Sequence, residues 1–151
     1  MVILRNAAAL VVGLLVGGVV NMSLVMLGPK VFPPPAGVDV TRVESLAASI
    51  HLFEPRHFVF PFLAHALGTL VGAAVTSRLA ASRRWALAWV VGALGLAGGI
   101  AAARMIPAPT WFVVLDLVVA YLPMAWLGGL LASRPAGGRS HGGAAGQRQV
   151  W

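Results

Sequence analysis

The sequence contains no cysteine and few charged residues, and each shortage excludes a class of protein. Without cysteine, the 151 residues hold no disulfide, no thiolate metal site and no cysteine nucleophile. Charged residues make up 10% of the chain, whereas a soluble domain typically carries about 25%. Because 59% of the residues are hydrophobic and stand in long blocks, we expect a lipid bilayer to be the solvent of this chain.

Acidic residues are especially scarce, with four Asp and Glu against eleven Lys and Arg and a net charge of +7. A nucleic-acid-binding domain would gather its basic side chains on one face or between aromatic residues. Here they are scattered through short connections and the tail, so nucleic acid is not an expected partner. In a membrane protein such an excess reports orientation and attraction to anionic lipid.

Four apolar segments are long enough to cross a bilayer, because roughly 20 helical residues cover its ~30 Å hydrocarbon layer. The segments are residues 6–27, 58–80, 85–106 and 110–132. We predict a single all-α domain over residues 1–132, an integral membrane four-helix bundle. Residues 133–151 are rich in Gly, Ala and polar side chains, and we predict a disordered cytoplasmic tail there.

Seven of the ten arginines lie at one end of the predicted spans, whereas in the connection between the first two spans the basic and acidic residues balance. The seven precede the first span, surround the turn between the second and third, and follow the fourth: Arg5; Arg78, Arg83 and Arg84; Arg134, Arg139 and Arg148. The positive-inside rule therefore predicts that both termini are cytoplasmic and that residues 28–57 form an outer loop.

The outer loop between the first two spans opens with a proline-rich stretch that should be extended. Thr41 and Glu44 follow in a capping-box pattern, which favours a helix that starts near Thr41. Apolar side chains at three- and four-residue spacing then predict a short amphipathic helix on the outer membrane surface.

Small residues recur at helical spacing in the first three spans. Close approach through such residues drives much of the helix packing in lipid. The glycines concerned are Gly13, Gly17, Gly68, Gly72, Gly92, Gly95 and Gly99. They predict packing within the bundle or, as the alternative, self-association or docking to a larger complex. In the fourth span, Pro123 removes a backbone donor and predicts a kink near Val119.

Four polar residues lie within the predicted spans, where ionisable side chains are expensive and often functional: Asn21, His65, Arg104 and Asp116. At ~1.5 Å per residue all four fall in the outer half of the bilayer. We expect a buried Arg104–Asp116 pair across the tight hairpin, joined by His65 and Asn21. The cluster either pins the register of the bundle or lines an outer cavity in which Asp116 and His65 exchange a proton or hold a ligand.

A weaker candidate metal site precedes the second span, at His51, Glu54 and His57. Imidazole and carboxylate ligands suit zinc or copper. The HExxH order is absent, and no fourth ligand has diagnostic spacing. A solvated interface is the simpler interpretation, and we predict no cofactor.

Three segments resemble a group of small bacterial integral membrane proteins with four predicted spans. They are GPKVFPPPAGVDVT, HLFEPRHFVFPFLAHALGTLVGA and IPAPTWFVVLDLVVAYLPMAWLGG. The resemblance runs from about residue 10 to 131 and excludes the tail. It implies the four-span architecture and a bacterial inner-membrane location, and it carries over no catalytic residue.

Three functions stay open at this point. The first is a non-catalytic interaction or accessory component of a membrane assembly, which contacts lipid and other membrane proteins or itself as a homo-oligomer. The second is a small proton-coupled or cation transporter or channel that uses Asp116 and His65. The third is a metal-binding membrane protein or enzyme, although no catalytic motif is present and an enzyme is not expected.

Overall fold

The computed structural model describes residues 1–133, which form helices joined by short connections and contain no strand. In chain order the helices are α1 (Val2–Val31), α2 (Val43–Ser49), α3 (Val59–Leu79), α4 (Arg84–Met105), α5 (Thr110–Val119) and α6 (Leu122–Ser133). Two 3₁₀ turns, Ile50–Leu52 and Pro55–Phe58, lead from α2 to α3. The predicted tail lies outside the described residues from residue 134 onwards.

Four helical stretches are long and apolar enough to cross a membrane: α1, α3 with the turn before it, α4, and α5 together with α6. The predicted all-α fold of four spans is therefore confirmed, and the chain is a multi-pass membrane protein. Helix α1 extends beyond the predicted span at both ends, because its hydrogen-bond ladder continues until the Phe32 N–H donates to the Gly28 carbonyl. The apolar run marks the part that suits lipid, whereas the helix also includes flanks that carry Arg5 and Lys30.

The fourth span is interrupted between α5 and α6, where the proline predicts a kink. Pro123 has no N–H to donate to the carbonyl of Val119, and the helix breaks at residues 120–121. Hydrogen bonding resumes when the Ala125 N–H donates to the Tyr121 carbonyl at 2.8 Å. The break changes the direction in which Tyr121 points relative to α5.

The two ends of the bundle carry different features. The loop end holds residues 32–58 and the hairpin at 106–109, and the arginine end holds the turn at 80–83. At the arginine end, the Asn6 side-chain oxygen accepts hydrogen bonds from the N–H groups of Ala81 at 2.9 Å and Ser82 at 3.2 Å. The start of α1 thus satisfies backbone donors of the turn that follows α3.

Helix α3 lies at the centre, packed against α1, α4 and α6, whereas α1 and α4 touch each other little. The α1–α3 contact is built on glycine. A Cβ atom on Gly17 would lie 2.5 Å from the Gly68 carbonyl oxygen, and one on Gly13 would lie 2.6 Å from the Gly72 carbonyl. Backbones at this distance leave no room for a side chain, so these four glycines pack the bundle internally.

The glycines of α4 face the broken fourth span. A Cβ atom on Gly92 would meet Ala125 at 2.6 Å, and one on Gly95 would meet the ring of Tyr121 at 2.9 Å. Gly99 lies against the same tyrosine. The α4 stripe is therefore also an intramolecular contact, and it makes space for one large aromatic ring.

The predicted capping box at Thr41 is wrong. The N-cap of α2 is Arg42, which makes no side-chain capping hydrogen bond. Thr41 instead donates from its N–H at 2.9 Å and its hydroxyl at 2.6 Å to one oxygen of Asp39. These hydrogen bonds lower the pKa of the Asp39 carboxyl. A carboxylate two residues back is the stronger acceptor, and it holds the threonine in the preceding turn.

The short helix of the loop covers the loop end of the bundle. Ile50, which follows α2, forms a buried apolar cluster with Phe58 and Phe112, and Leu46 and Phe53 pack on it. The apolar face predicted for this segment therefore contacts protein and closes one end of a cavity described below.

Candidate functional site

A polar cluster inside the bundle is centred on Asp116 of α5, which is 4% exposed. Nδ1 of His65, on α3, lies 2.9 Å from each carboxylate oxygen. The Tyr121 hydroxyl donates to Oδ2 at 3.0 Å. Both neighbours donate hydrogen bonds to the buried carboxylate, and a charged group within a bilayer requires such partners. We call these three residues the His65 cluster.

The helices bring His65 and Asp116 to the same depth. His65 lies six residues after the start of α3, and Asp116 lies six residues after the start of α5. Both helices start at the loop end, so at 1.5 Å per residue each side chain lies about 9 Å from it. The common level predicted for these two residues leads here to direct contact.

Tyr121 completes the cluster because α4 leaves room for it. A Cβ atom on Gly99 would overlap the Tyr121 hydroxyl and lie 2.6 Å from the Cζ atom. The tyrosine ring also stacks on the His65 ring, with a centroid distance of 5.6 Å and an interplanar angle of 29°. Glycine at this position and the helix break together hold the hydroxyl against Asp116.

The hydrogen bond to Asp116 determines which nitrogen of the His65 ring carries the proton. A carboxylate only accepts, so we assign the proton to Nδ1 from its partner. In the neutral ring, Nε2 is then an acceptor, and no hydrogen bond from residues 1–133 reaches it. The side chain is 26% exposed, and that exposure faces cavities. His65 therefore presents an unused acceptor to whatever enters them.

Two cavities meet at His65. The loop-end pocket, of about 240 Å³, lies under the outer loop and between α3, α4 and α5, and Asp116 also lines it. The glycine cleft, of about 280 Å³, lies between α1 and α4 over α3, and Asn21 lines it. Gly99 and Ala102 line both cavities, so only small side chains accompany the histidine at the junction.

The predicted buried pair between Arg104 and Asp116 is wrong. Arg104 is exposed, and within residues 1–133 the arginine that pairs with a carboxylate is Arg56, with Glu54, while Asp116 is hydrogen-bonded by His65. Arg104 follows Gly99 by five residues, which turns it about 140° away from the face that contacts Tyr121. A long arginine near a helix end lowers its free energy by extending toward water.

The candidate metal residues before the second span do not assemble a metal site. His57 accepts a hydrogen bond from the Glu54 N–H at Nδ1, at 3.0 Å, and donates from Nε2 to the Pro33 carbonyl at 3.1 Å. Both ring nitrogens are thus used to fold the loop, while His51 is exposed. In the described part of the chain no three His, Cys, Asp or Glu side chains could hold a metal ion together.

Sequence reasoning missed Tyr121. It is the chain's only tyrosine, and it follows Asp116 by five residues, which in a straight helix places the two about 140° apart. Only the break at 120–121 brings its hydroxyl to the carboxylate. Pro123 was the available signal, because a kink implied that the faces before and after it need not match.

Comparisons with models of protein families, with curated proteins and with solved structures found no match to this chain.

Proposed function

We propose that the protein lies in a bacterial inner membrane, with the arginine end and both termini on the cytoplasmic side. The support is the charge distribution, since the turn at the arginine end is basic while the loop end is nearly neutral. Single cysteines test this in a chain that has no other thiol. Ala36→Cys should react with an impermeant maleimide on intact spheroplasts, and Ala81→Cys only after permeabilisation, since both positions are exposed. The reverse pattern would overturn the orientation.

We further propose that the protein is a non-catalytic accessory membrane protein that binds a small ligand at the His65 cluster. One observation carries the proposal: Asp116 holds Nδ1 of His65, and Nε2 is left without a protein partner where two cavities meet. A polar cluster that only pinned the helix register would satisfy itself and leave no acceptor facing a cavity. A concave, mostly apolar site with a few oriented polar groups is instead typical of ligand binding.

Binding accounts for this geometry better than conduction does. Toward the arginine end, α3, α4 and α6 meet in a cluster of buried small residues that includes Ala73, Ala88 and Ala125. Nearby, a Cβ atom on Gly128 would overlap the carbonyl of Leu70. Helices packed this closely leave no polar route between α3, α4 and α6, which favours entry to the site from the loop end or from the bilayer.

Mass spectrometry of small molecules that purify with the protein tests the binding function. The wild-type protein, extracted into nanodiscs, should carry a stoichiometric small molecule that His65→Gln loses. His51→Gln is the matched control because His51 is exposed and lies outside both cavities. Far-UV circular dichroism would check that both variants fold. A molecule that is absent from the wild type, or retained equally by both variants, would refute the proposal.

A second candidate function, docking of a partner's membrane helix, is favoured by the glycine cleft. Gly18 of α1 and Gly98 of α4 have open space beside them, with nothing within 4 Å of an added Cβ atom. In lipid, a further helix approaches closely only where side chains are this small. Gly18→Leu should then abolish crosslinking to a partner or second copy in native membranes, whereas Val19→Leu, on the exposed side of α1, should not. Crosslinking that survives Gly18→Leu would argue against this function.

A further inference from the structure

We propose that the ligand of the His65 cluster is a neutral amphiphile whose hydroxyl group donates to Nε2 of His65 and whose apolar body fills the loop-end pocket. The inference rests on the proposed binding function and names the chemical class that the site would take. Three properties of the site lead to it: the hydrogen-bonding state of His65, the charge of Asp116, and the walls of the pocket.

The hydrogen-bonding state requires a donor on the ligand. Because Nδ1–H of His65 points to Asp116, Nε2 of the neutral imidazole is an acceptor. The hydroxyl of Tyr121, whose ring stacks on His65, is already donated to Asp116. A molecule that offers only acceptors would leave Nε2 without a hydrogen bond in an apolar enclosure, which is costly. A hydroxyl group removes that cost.

The charge and the hydrogen bonds of Asp116 disfavour charged head groups. Asp116 is a buried carboxylate, so a carboxylate or phosphate head would be repelled at short range. A cationic head would be attracted to Asp116, but it would lose its hydration, and both oxygens of Asp116 already accept hydrogen bonds from His65 and Tyr121. His57 also lines the pocket, but backbone groups occupy both of its ring nitrogens. A neutral head group is not repelled by Asp116 and does not lose the hydration of a charge.

The pocket walls fix the rest of the molecule. Phe53, Phe58 and Phe112 line the pocket, and the last two rings lie 4.8 Å apart at 41°. Its volume of about 240 Å³ lies slightly below the usual range for drug-sized ligands. An apolar body of one ring with a short chain suits this volume and these rings, so 4-butylphenol is a suitable probe.

The test measures binding of 4-butylphenol to the full-length protein in nanodiscs by native mass spectrometry and by ¹⁵N NMR of the histidine rings. Butylbenzene, 4-butylbenzoate and 4-butylbenzylammonium serve as matched probes that lack the hydroxyl or carry a charge. We expect 4-butylphenol to bind and shift the His65 Nε2 resonance, and butylbenzene to bind about tenfold more weakly, as loss of one hydrogen bond predicts. The two charged probes should also bind more weakly than 4-butylphenol, because Asp116 repels the benzoate and the ammonium loses its hydration. Binding of butylbenzene or a charged probe as tight as that of 4-butylphenol would overturn the ligand class.

A pair of variants locates the bound probe without disturbing the His65 cluster. Ala103→Leu fills the loop-end pocket, which Ala103 lines, and should abolish binding of 4-butylphenol. Ala101→Leu makes the same substitution on the exposed side of α4 and should leave binding unchanged. Equal binding by both variants would overturn the location. If the wild type carries a co-purified molecule that depends on His65 but binds no 4-butylphenol, the ligand class fails and the binding function stands; if neither is found, both fail.

Discussion

Replacing Gly99 with alanine should move Tyr121 away from Asp116. The added Cβ atom would overlap the tyrosine hydroxyl and lie within 2.6–2.7 Å of two ring carbons, and the same ring also stacks on His65. The neighbouring Gly98 has no atom within 4 Å of an added Cβ, so Gly98→Ala provides a control on the same helix. The two substitutions add the same methyl group to adjacent positions and differ only in what it meets.

The expected free-energy changes have opposite signs. Overpacking of a filled contact costs about 1–3 kcal/mol. Loss of a hydrogen bond inside a membrane bundle adds about 0.6 kcal/mol on average. Removal of glycine from a helix interior contributes about 0.5–1 kcal/mol of stability to either variant. Gly99→Ala should therefore destabilise the bundle by about 1–3 kcal/mol, whereas Gly98→Ala should stabilise it by up to about 1 kcal/mol.

Reversible unfolding in mixed micelles, followed by far-UV circular dichroism, measures both values. Tyr121→Ala supplies the third variant, because Gly99→Ala should cost little once the ring is gone, and the double-mutant cycle should show coupling of about 1 kcal/mol or more. The proposed contact between Gly99 and Tyr121 would be refuted if the free energies of unfolding of Gly98→Ala and Gly99→Ala agreed within about 0.5 kcal/mol. It would also be refuted if the effects of Gly99→Ala and Tyr121→Ala were additive.

Two further predictions concern the two ends of the bundle. Asn6→Ala removes the acceptor of the Ala81 and Ser82 N–H groups, so it should lower the free energy of unfolding by about 1 kcal/mol and speed amide hydrogen exchange at residues 81–82. Unchanged exchange at these two residues would contradict the role of Asn6. Because hydrogen bonds from Thr41 lower the pKa of Asp39, the turn at 39–41 should be fully formed above the ordinary Asp pKa near 3.8 and be lost as pH falls through the lowered value. The Thr41 amide NMR signal should stay constant from pH 7 to pH 5 and should shift only below pH 5. A shift between pH 7 and pH 5 that depends on Asp39 would show that the pKa of Asp39 is not lowered.

The spans were predictable because the length and hydropathy of an apolar run determine where a helix lies along its own axis in the bilayer. Apolar runs of roughly 20 residues identify the parts that suit lipid, and they also gave the common depth of His65 and Asp116. Rotation about the axis is a different matter, since packing decides which face turns inward. Arg104 illustrates this point, because the glycine face of α4 already placed it on the far side, but the tight hairpin and the reach of an arginine suggested a partner in Asp116.

Other errors arose where a competing interaction captured a side chain. The hydroxyl of Thr41 matched a capping box by spacing, but the Asp39 carboxylate was closer and stronger as an acceptor. His57 looked like a metal ligand by residue type, yet its ring binds the Glu54 N–H and the Pro33 carbonyl. The proline-rich stretch that supplies Pro33 is distant in sequence, so spacing around the histidine gave no sign of it.

The helix break near Pro123 connects the packing of the bundle to its candidate site. A straight fourth span would direct Tyr121 about 140° away from Asp116 and leave the carboxylate with His65 as its sole donor among the described residues. A second donor makes the ionised carboxylate less costly in the bilayer, and it is the ionised form that holds the proton of His65 on Nδ1. Pro123 thus influences Nε2 of His65 indirectly. The helix break that it causes places Tyr121 against Asp116, and the ionised Asp116 in turn leaves Nε2 as an acceptor that faces the cavities.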